Sequence, residues 1–330
     1  MATYKGIQGY SVQKLSSDPT ASAAEGQLWY NSSSGKFKIS VAGAGAWSSG
    51  GAINTARRYM SGVGSTTAGL IFNGGPDPSP PSPMKLLVES YNGTAWTEVN
   101  NTTNHLMTRG RAGTQTAALA SGAPTSQVVE SYDGTSWTEV NILNAIKGAA
   151  GSMGIQTAAI VAGGDRVPSP ATVNESETWN GTSWTEGNNI NNGRNALAGC
   201  GTTTAALIFG GTPPVPSLGV HTESYNGTCW AETNNLNVGR YGIGGSGLQT
   251  AALAIAGGTP PQVTSTEKWD GTSWTEVGDL ATAVRWAGTS TVTGTDTAYI
   301  AGGLTAAPAS TDVTEIWADP VYAVKTVTVS

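Results

Sequence analysis

The side chains that most often perform catalysis or bind metal ions are scarce in this chain of 330 residues. It contains two histidines, His105 and His221, and two cysteines, Cys200 and Cys229, with no CxxC spacing. A Ser-His-acid triad or a copper centre with two histidine ligands has few donors here, and the paired glycines do not open helices as a phosphate loop requires. We therefore expect no catalytic residue, no metal site and no cofactor.

The carboxylates repeat along the sequence instead of forming one close pair. A glycoside hydrolase needs two carboxylates about 5 to 10 Å apart across one bond. Here the glutamates occupy two recurring positions, one before an aromatic residue and one after a tryptophan: Glu89, Glu130, Glu177, Glu223, Glu267 and Glu315, and Glu98, Glu139, Glu186, Glu232 and Glu276. Such repetition predicts a structural role, in which each glutamate pairs with a basic residue or with backbone amides. The unrepeated acids Asp77, Asp165 and Asp312 lie in loops and form no cluster that suits calcium.

Basic and aromatic residues recur at the start of short strands of small residues. The candidate binding residues are Arg57, Arg58, Tyr59, Arg111, Arg194, Arg240, Tyr241, Arg285 and Trp286. Aromatic rings beside arginine can stack on a sugar ring or on a protein side chain. Two interpretations stay open for the arginines: they contact a ligand, or they pair with the repeated glutamates and support the surrounding loops.

Composition limits the classes of partner. Glycine supplies 45 residues, charged residues make up 12% of the chain, and 11 tryptophans can build a core, which together favour β-structure over disorder. The net charge of −6 argues against nucleic acid or an anionic membrane as a partner, because both need concentrated lysine and arginine. The sequence has no run of 18 apolar residues and no signal-peptide core, so we expect no membrane insertion and no signal peptide.

The positions named above belong to an internal repeat. Its most regular part reads ESYNGTAWTEVNN from Glu89 and returns as ESYDGTSWTEVN, ETWNGTSWTEGNN, ESYNGTCWAETNN and EKWDGTSWTEV, followed by a degenerate EIWADP. The copies lie 41 to 48 residues apart, the length of one four-stranded propeller blade. Each Asn-Gly or Asp-Gly pair predicts a tight hairpin turn between the third and fourth strands. Cys200 and Cys229 then lie on the innermost and outermost strands of one unit, about 14 Å apart, and are expected to be free thiols.

These units resemble the kelch repeat: a basic residue, an apolar strand, paired glycines, a variable spacer, then Tyr or Trp, and then Trp, from Arg57 to Trp317. The second unit departs from the pattern, with SGAP after Ala120 in place of the glycine pair. The resemblance implies an all-β, six-bladed kelch-like β-propeller whose blades start near residues 57, 109, 147, 194, 240 and 285. In a propeller the loops before the first strands and after the second strands share one face, where the candidate binding residues would gather.

The last unit lacks its fourth strand, and the start of the chain supplies a replacement. Trp47 lies ten residues before Arg57, the spacing that also separates tryptophan from the basic residue in later units. We expect this strand to complete the sixth blade and close the ring, which protects blade edges from aggregation. The predicted domains are an attachment segment, 1–44, and the propeller, 45–330. The alternating tail 321–330 is interpreted as a further strand or a partner contact.

The N-terminal segment contains EGQLWYNSSSGKFKISV, which predicts a β-hairpin because Leu28, Tyr30, Phe37 and Ile39 alternate along its two arms. This stretch resembles the GQLWYN…GKFK modules that recur in structural proteins of tailed bacteriophages. The resemblance implies docking to a particle, with Trp29, Tyr30 and Phe37 as the docking residues. The alternative is an ordinary hairpin packed on the propeller.

The function predicted from these features is that of a non-enzymatic virion structural protein. It would be a tail fibre, spike or capsid decoration on the exterior of a phage particle, displaying the propeller for host or surface binding. The expected partners are other virion proteins, through the N-terminal segment, and a host surface glycan or protein; a homo-oligomer is left open. Two alternatives remain: a carbohydrate-binding or carbohydrate-active propeller, and a cellular kelch-type adaptor for protein interactions.

Overall fold

All regular structure in the described part of the chain is β-strand. The computed structural model describes residues 12–20, 24, 26–75, 86–104, 110–123, 125–166, 172–212, 219–307 and 309–328. Within these ranges there is no α-helix, and therefore no helix that could cross a membrane.

The strands are short, mostly three to six residues long. They are β1 Gln13–Leu15, β2 Leu28–Asn31, β3 Lys36–Gly43, β4 Ala46–Ser49, β5 Ser61–Gly64, β6 Gly69–Phe72, β7 Val88–Tyr91, β8 Trp96–Val99, β9 Gly110–Gly113, β10 Ala118–Ala123, β11 Ser126–Tyr132, β12 Trp137–Val140, β13 Gly151–Ile155, β14 Ala158–Ala162, β15 Ser176–Trp179, β16 Trp184–Gly187, β17 Ala198–Gly201, β18 Ala206–Phe209, β19 Thr222–Tyr225, β20 Trp230–Thr233, β21 Gly244–Leu248, β22 Ala251–Ile255, β23 Thr266–Trp269, β24 Trp274–Glu276, β25 Val284–Arg285, β26 Gly288–Thr289, β27 Thr297–Ala301, β28 Leu304–Thr305, β29 Thr314–Ala318 and β30 Val321–Thr326.

Seven four-stranded sheets hold almost all of these strands, and β25 pairs separately with β28. Five sheets take their strands in chain order, β5 to β8, β9 to β12, β13 to β16, β17 to β20 and β21 to β24, with antiparallel neighbours throughout. The sixth has the order β26-β27-β29-β4, so the strand around Trp47 joins the last repeat, as predicted. These repeated sheets fit a β-propeller.

The first strands of the six repeat sheets pack against one another in series. In this series β5 contacts β9, β9 contacts β13, β13 contacts β17, β17 contacts β21, β21 contacts β26, and β26 contacts β5. Small residues permit this close approach. A Cβ atom on Gly62 of β5, for example, would lie 2.8 Å from the amide nitrogen of Thr289 in β26.

The burial pattern of each strand follows from its place in the sheet. The second strand is buried on both faces, as in β18, because neighbouring sheets cover it from both sides. The fourth strand begins with a buried tryptophan and continues with exposed residues, as in β20. The turn before it is local: Asn226 Oδ1 accepts hydrogen bonds from the amides of Thr228 (2.9 Å) and Cys229 (2.8 Å), while Gly227 adopts a φ of +91°.

The hydrophobic core lies between adjacent sheets and is divided into similar clusters. The ring of Trp137 in β12 packs on Phe72 of the preceding sheet, with centroids 5.1 Å apart, and Trp274 in β24 packs on Phe209 in the same way at 4.8 Å. Each repeat therefore buries its aromatic residues only by contact with a neighbour, as expected of repeat architectures.

The chain divides into two compact units, one of residues 47–317 and one of residues 1–46 with 318–330. In the second, β2 and β3 form the predicted hairpin, with Leu28 opposite Ile39 and Tyr30 opposite Phe37. Strand β1 lies parallel to β2, and β30 lies antiparallel to β3. The C-terminal tail, which the predicted boundaries assign to the repeat region, thus pairs with the N-terminal hairpin.

Candidate functional site

A glutamate on the third strand of each repeat anchors the loop that leads into the first strand. Glu223 on β19 accepts hydrogen bonds from the backbone amides of Asn191 (2.7 Å) and Asn192 (3.3 Å), and from Asn191 Nδ2 (2.9 Å). Equivalent loop amides donate to the other members of the set: Glu89, Glu130, Glu177, Glu267 and Glu315. All six carboxylates are buried. The structural role predicted for them is confirmed.

Three arginines of the predicted binding set are fully buried beside these glutamates, each 0% exposed. The ion pairs are Arg57 with Glu89, Arg194 with Glu223 (2.5 Å) and Arg240 with Glu267 (2.7 Å). Burial lowers the pKa of each arginine, while the paired carboxylate acts in the opposite direction. These arginines support the loop, and their guanidinium groups are not part of an exposed binding face.

The sixth repeat has a valine where these repeats have the buried arginine. A glycine amide donates a hydrogen bond of 2.9 Å to the carbonyl of Arg57, Arg194 and Arg240, and in the same way to the carbonyl of Val284. Val284 is buried, and Arg285 follows it at a partly exposed position. The prediction that Arg285 is the equivalent of the other strand-opening arginines is therefore wrong by one residue.

Two residues before the first strand, the backbone is left-handed in the five repeats where the structure describes this position. Its occupants are Tyr59, Ala149, Ala196, Gly242 and Trp286, with φ between +48° and +63°. The amide of this residue bonds to the carbonyl of its equivalent in the preceding repeat, as from Trp286 to Gly242 (2.8 Å) and from Tyr59 to Trp286 (2.9 Å). Alanine and glycine meet this requirement in three repeats, so the fold does not need a ring here.

Five side chains from the fifth, sixth and first repeats meet at this position. We call them the mouth cluster: Arg58, Tyr59, Tyr241, Arg285 and Trp286. The Tyr59 ring stacks on Trp286 with centroids 4.3 Å apart, and the Arg285 guanidinium lies 4.0 Å from the Trp286 centroid and 5.0 Å from that of Tyr241. Arg58 lies 5.3 Å from the Tyr59 centroid. Two groups this close to one ring cannot share a face, so Trp286 lies between Arg285 and Tyr59 in a column of partly exposed side chains.

The positive charge of Arg285 is stabilised by the neighbouring aromatic rings. Its Nη1 donates a hydrogen bond to the Tyr241 hydroxyl, and its Nε is buried without a partner among the described atoms. No ion pair joins it to a carboxylate in the described part of the chain. Partial burial lowers the pKa of Arg285, and the nearby positive charge of Arg58 lowers it further, against the opposite effect of Tyr59.

Arg111, another predicted binding residue, crosses the space between the first strands. From β9 its Nη1 donates to the carbonyl of Thr289 in β26 (2.8 Å) and its Nη2 to that of Gly245 in β21 (2.7 Å). Burial lowers the pKa of Arg111 to about 10. A narrow cavity beside it is also lined by Met60 and Ala287, which directly follow two mouth-cluster residues. Arg111 therefore fills the centre and is not at the surface.

The remaining candidates for chemistry are dispersed. His105, Asp77 and Arg109 lie outside the described residues, and His221 directly precedes β19. Within the described ranges there is no group of three or more His, Cys, Asp or Glu side chains that could hold a metal ion. Cys200 is buried and Cys229 is exposed, and both are free thiols, as predicted.

The predicted docking residues of the N-terminal hairpin differ in exposure. Phe37 is 47% exposed and packs edge-on against the partly exposed Tyr30, with ring centroids 5.2 Å apart. Trp29 is only 2% exposed, and its Nε1 donates to Asp18 Oδ1 (3.0 Å). Trp29 therefore stabilises its own unit and is excluded from an exposed docking surface, because alternate residues of a strand point to opposite faces.

The sequence analysis named all five members of the mouth cluster but did not predict that their side chains contact one another. It grouped them with the buried arginines because both follow the same loop. A signal for the difference was present: when the six repeats are aligned on the first strand, one position reads Tyr, Thr, Ala, Ala, Gly and Trp. A ring in two repeats, with alanine, glycine or threonine in the others, indicates a feature added to the scaffold.

Comparison of the chain with protein-family models finds no match, and comparison with curated proteins finds none either. The resemblances to kelch repeats and to phage modules therefore depend on the quoted residues alone.

Proposed function

We propose that residues 47–317 form a six-bladed, kelch-like β-propeller whose ring is closed by β4. The contact series of the first strands supports this, because it returns from β26 to β5. Bonds between the sixth and first sheets also support it: Trp96 Nε1 donates to Thr314 Oγ1 (3.0 Å), and the Tyr299 hydroxyl donates to the carbonyl of Val63 (2.8 Å). Closure leaves only short, protected edges.

The propeller acts as a non-enzymatic binding protein, and the mouth cluster is its ligand site. One observation carries this conclusion: Tyr59 and Trp286 occupy left-handed backbone positions where three other repeats have alanine or glycine. A large side chain in this conformation costs about 1 to 2 kcal/mol, and such strain concentrates at functional sites. The partial exposure of all five side chains makes them accessible to a ligand.

The protein is displayed on the exterior of a phage particle, with the smaller unit as its attachment. This part of the proposal depends on the resemblance of the hairpin to phage modules. The exposed ring of Phe37 beside Tyr30 supports it, because an exposed aromatic pair is a common centre of a protein interface. We place the docking surface on these two residues.

The ligand-site assignment is tested with labelled full-length protein and a panel of intact bacterial cells. Trp286→Ala places alanine where Ala149 and Ala196 already adopt the same backbone, so the variant is expected to fold. We expect at least tenfold weaker binding to cells that bind the native protein. Phe37→Ala, which removes an exposed ring from the other unit, is the control and retains cell binding. Equal binding by the Trp286 variant would remove the mouth cluster as the site.

The virion assignment is tested by mass spectrometry of purified particles. We expect the native chain and the Trp286 variant in the particles, and a severalfold lower content of Phe37→Ala. Absence of the native chain from purified particles would overturn the virion assignment, while normal content of Phe37→Ala would overturn the docking surface.

A further inference from the structure

We infer that the mouth cluster recognises a carboxylate-bearing saccharide, with Arg285 as the group that binds the acid. This inference rests on the proposed binding function and names the chemical class of its ligand. It starts from the arrangement of the column, in which the Arg285 guanidinium and the Tyr59 ring lie against the Trp286 ring and Arg58 lies 5.3 Å from the Tyr59 centroid.

The column presents positive potential to a ligand. Both faces of the Trp286 ring are covered, so a ligand meets the edges of the aromatic rings and the edges of the guanidinium groups. Ring edges carry the positive part of the aromatic quadrupole, and guanidinium edges match carboxylate oxygens in paired hydrogen bonds. The attraction of an acidic ligand comes from this cluster and not from the whole chain, which has a net charge of −6. A neutral ligand would leave this feature unused.

The neighbouring surface favours a saccharide over a peptide. Peptides usually add a strand to a sheet edge or fill an apolar groove. Among the described residues, the cluster is bordered by the turn Gly258–Gln262 and by the narrow cavity beside Arg111. Neither of these is an open sheet edge or an apolar groove. The polar atoms at the column, the two tyrosine hydroxyls and the guanidinium N–H groups, match the closely spaced hydroxyls of a sugar chain.

The experiment uses full-length protein and acidic polysaccharides immobilised in two forms, native and with their carboxylates reduced to alcohols. We expect at least tenfold tighter binding to a native polymer than to its reduced form, and weaker binding as salt is raised from 50 to 500 mM, because exposed charge pairs are screened.

Two variants with the same loss of charge locate the site. Arg285→Gln removes the cation that lies against the Trp286 ring, and we expect a tenfold or larger loss of binding to the native polymer. Arg166→Gln removes a cation that is one-third exposed and paired with Glu175, and binding should change less than twofold. Melting temperatures of both variants near that of the native protein ensure that the comparison concerns folded protein.

The outcomes separate this inference from the proposed function. Equal binding to native and reduced polymers overturns the acidic ligand but leaves a glycan-binding propeller. Competition by polyglutamate that is as effective as competition by free polysaccharide overturns the saccharide class. An equal loss in both variants removes Arg285 as the anchor. If the native protein binds cells through Trp286 but binds none of the polysaccharides, this inference alone is overturned. If it binds neither the polysaccharides nor cells through Trp286, the proposed function is overturned as well.

Discussion

Two adjacent arginines in the loop before the first strand have opposite environments. Arg57 is buried and paired with Glu89, while Arg58 lies beside the Tyr59 ring at the surface. In the sixth repeat the buried position is taken by Val284, and the arginine that follows it, Arg285, is partly exposed. Residue type is therefore insufficient to assign a role here.

The two thiols should differ strongly in reactivity. Burial raises the pKa of the Cys200 thiol to about 12, although the positive charge of Arg111 acts in the opposite direction. Cys229 is exposed on a hairpin turn. Since the thiolate is the reactive form, we expect one thiol per chain to react with an aromatic disulfide reagent at pH 8 in native protein, and two after unfolding in denaturant. Two fast thiols in the native protein would contradict the position of β17 inside the sheet stack.

Asp165 is a carboxylate whose ionisation destabilises the fold. Burial raises its pKa above the ordinary value of 3.8, against a hydrogen bond from Asn195, and its Oδ1 has no partner among the described atoms. A raised folded-state pKa means that the folded state binds the proton more tightly, so stability falls as pH rises from about 3.8 through the folded-state pKa.

Asp165→Asn removes this ionisation. We expect the variant to melt a few degrees above the native protein at pH 7, with the difference shrinking as pH falls towards 4. Thermal unfolding followed by circular dichroism between pH 4 and pH 8 measures it. A variant that is less stable at pH 7, or a difference that is independent of pH, would show that the carboxylate is held in its charged form.

The loop before the first strand is the element that each repeat uses to connect its inner and outer strands. In the fourth repeat, Glu223 and Arg194 join this loop to β19 and to the paired-glycine turn, where Arg194 Nε donates to the carbonyl of Gly210 (3.0 Å). In the sixth repeat Glu315 accepts from the amides of Ala281 and Thr282 with no arginine at the equivalent position. The amide bonds to glutamate are thus the shared feature, and the cation is an addition.

Arg194→Met tests how much that addition contributes. Removing one partner of a buried pair leaves the other charge without compensation, which typically costs 3 to 5 kcal/mol. Because Glu223 keeps its amide donors, we expect a loss of about 3 kcal/mol in the free energy of unfolding, measured by urea denaturation. Adding Glu223→Gln to Arg194→Met should recover part of this loss.

The matched control is the more exposed pair of Arg166 with Glu175. Arg166→Gln should change the free energy of unfolding by less than about 1 kcal/mol, since exposed ion pairs contribute little. If Arg194→Met costs no more than this control, the buried pair does not hold the loop.

At the scale of the molecule, the proposed closure of the ring by β4 predicts that Trp47, which precedes the first repeat in the sequence, stabilises all six repeats. Trp47 packs on Trp317 with ring centroids 5.5 Å apart, and its Nε1 donates to Thr266 Oγ1 (3.0 Å). Trp184 begins the fourth strand of the third repeat. In a closed ring that unfolds cooperatively, Trp47→Ala and Trp184→Ala should each lower the free energy of unfolding by about 3 kcal/mol, in a single transition.

Denaturant unfolding followed by both tryptophan fluorescence and circular dichroism checks this prediction. A Trp47 variant with unchanged stability, or one that unfolds in two separate transitions, would show that β4 is not needed to close the ring.

The order of strands within a repeat was predictable because its signals are local. Asn-Gly and Asp-Gly turns, alternating strands and a spacing of 41 to 48 residues specify four antiparallel strands, and the position of Trp47 specified the fourth strand of the last sheet. The pairing partner of the C-terminal tail was harder to predict from the sequence. Alternating residues in 321–326 indicate a strand but not its partner, which turned out to be β3 in the smaller unit.

By itself, the sequence determined that the strands are all-β, that the glutamates before the aromatic residues have a structural role, and that the two cysteines do not pair. These conclusions depend on turn chemistry and periodicity, which act over a few residues. Only the tertiary structure decided which arginines are buried and that Tyr59 and Trp286 stack, although more than 200 residues separate them in the sequence. The physical reason is that both results depend on how the backbone of one repeat meets the next, and that contact is absent from any single repeat.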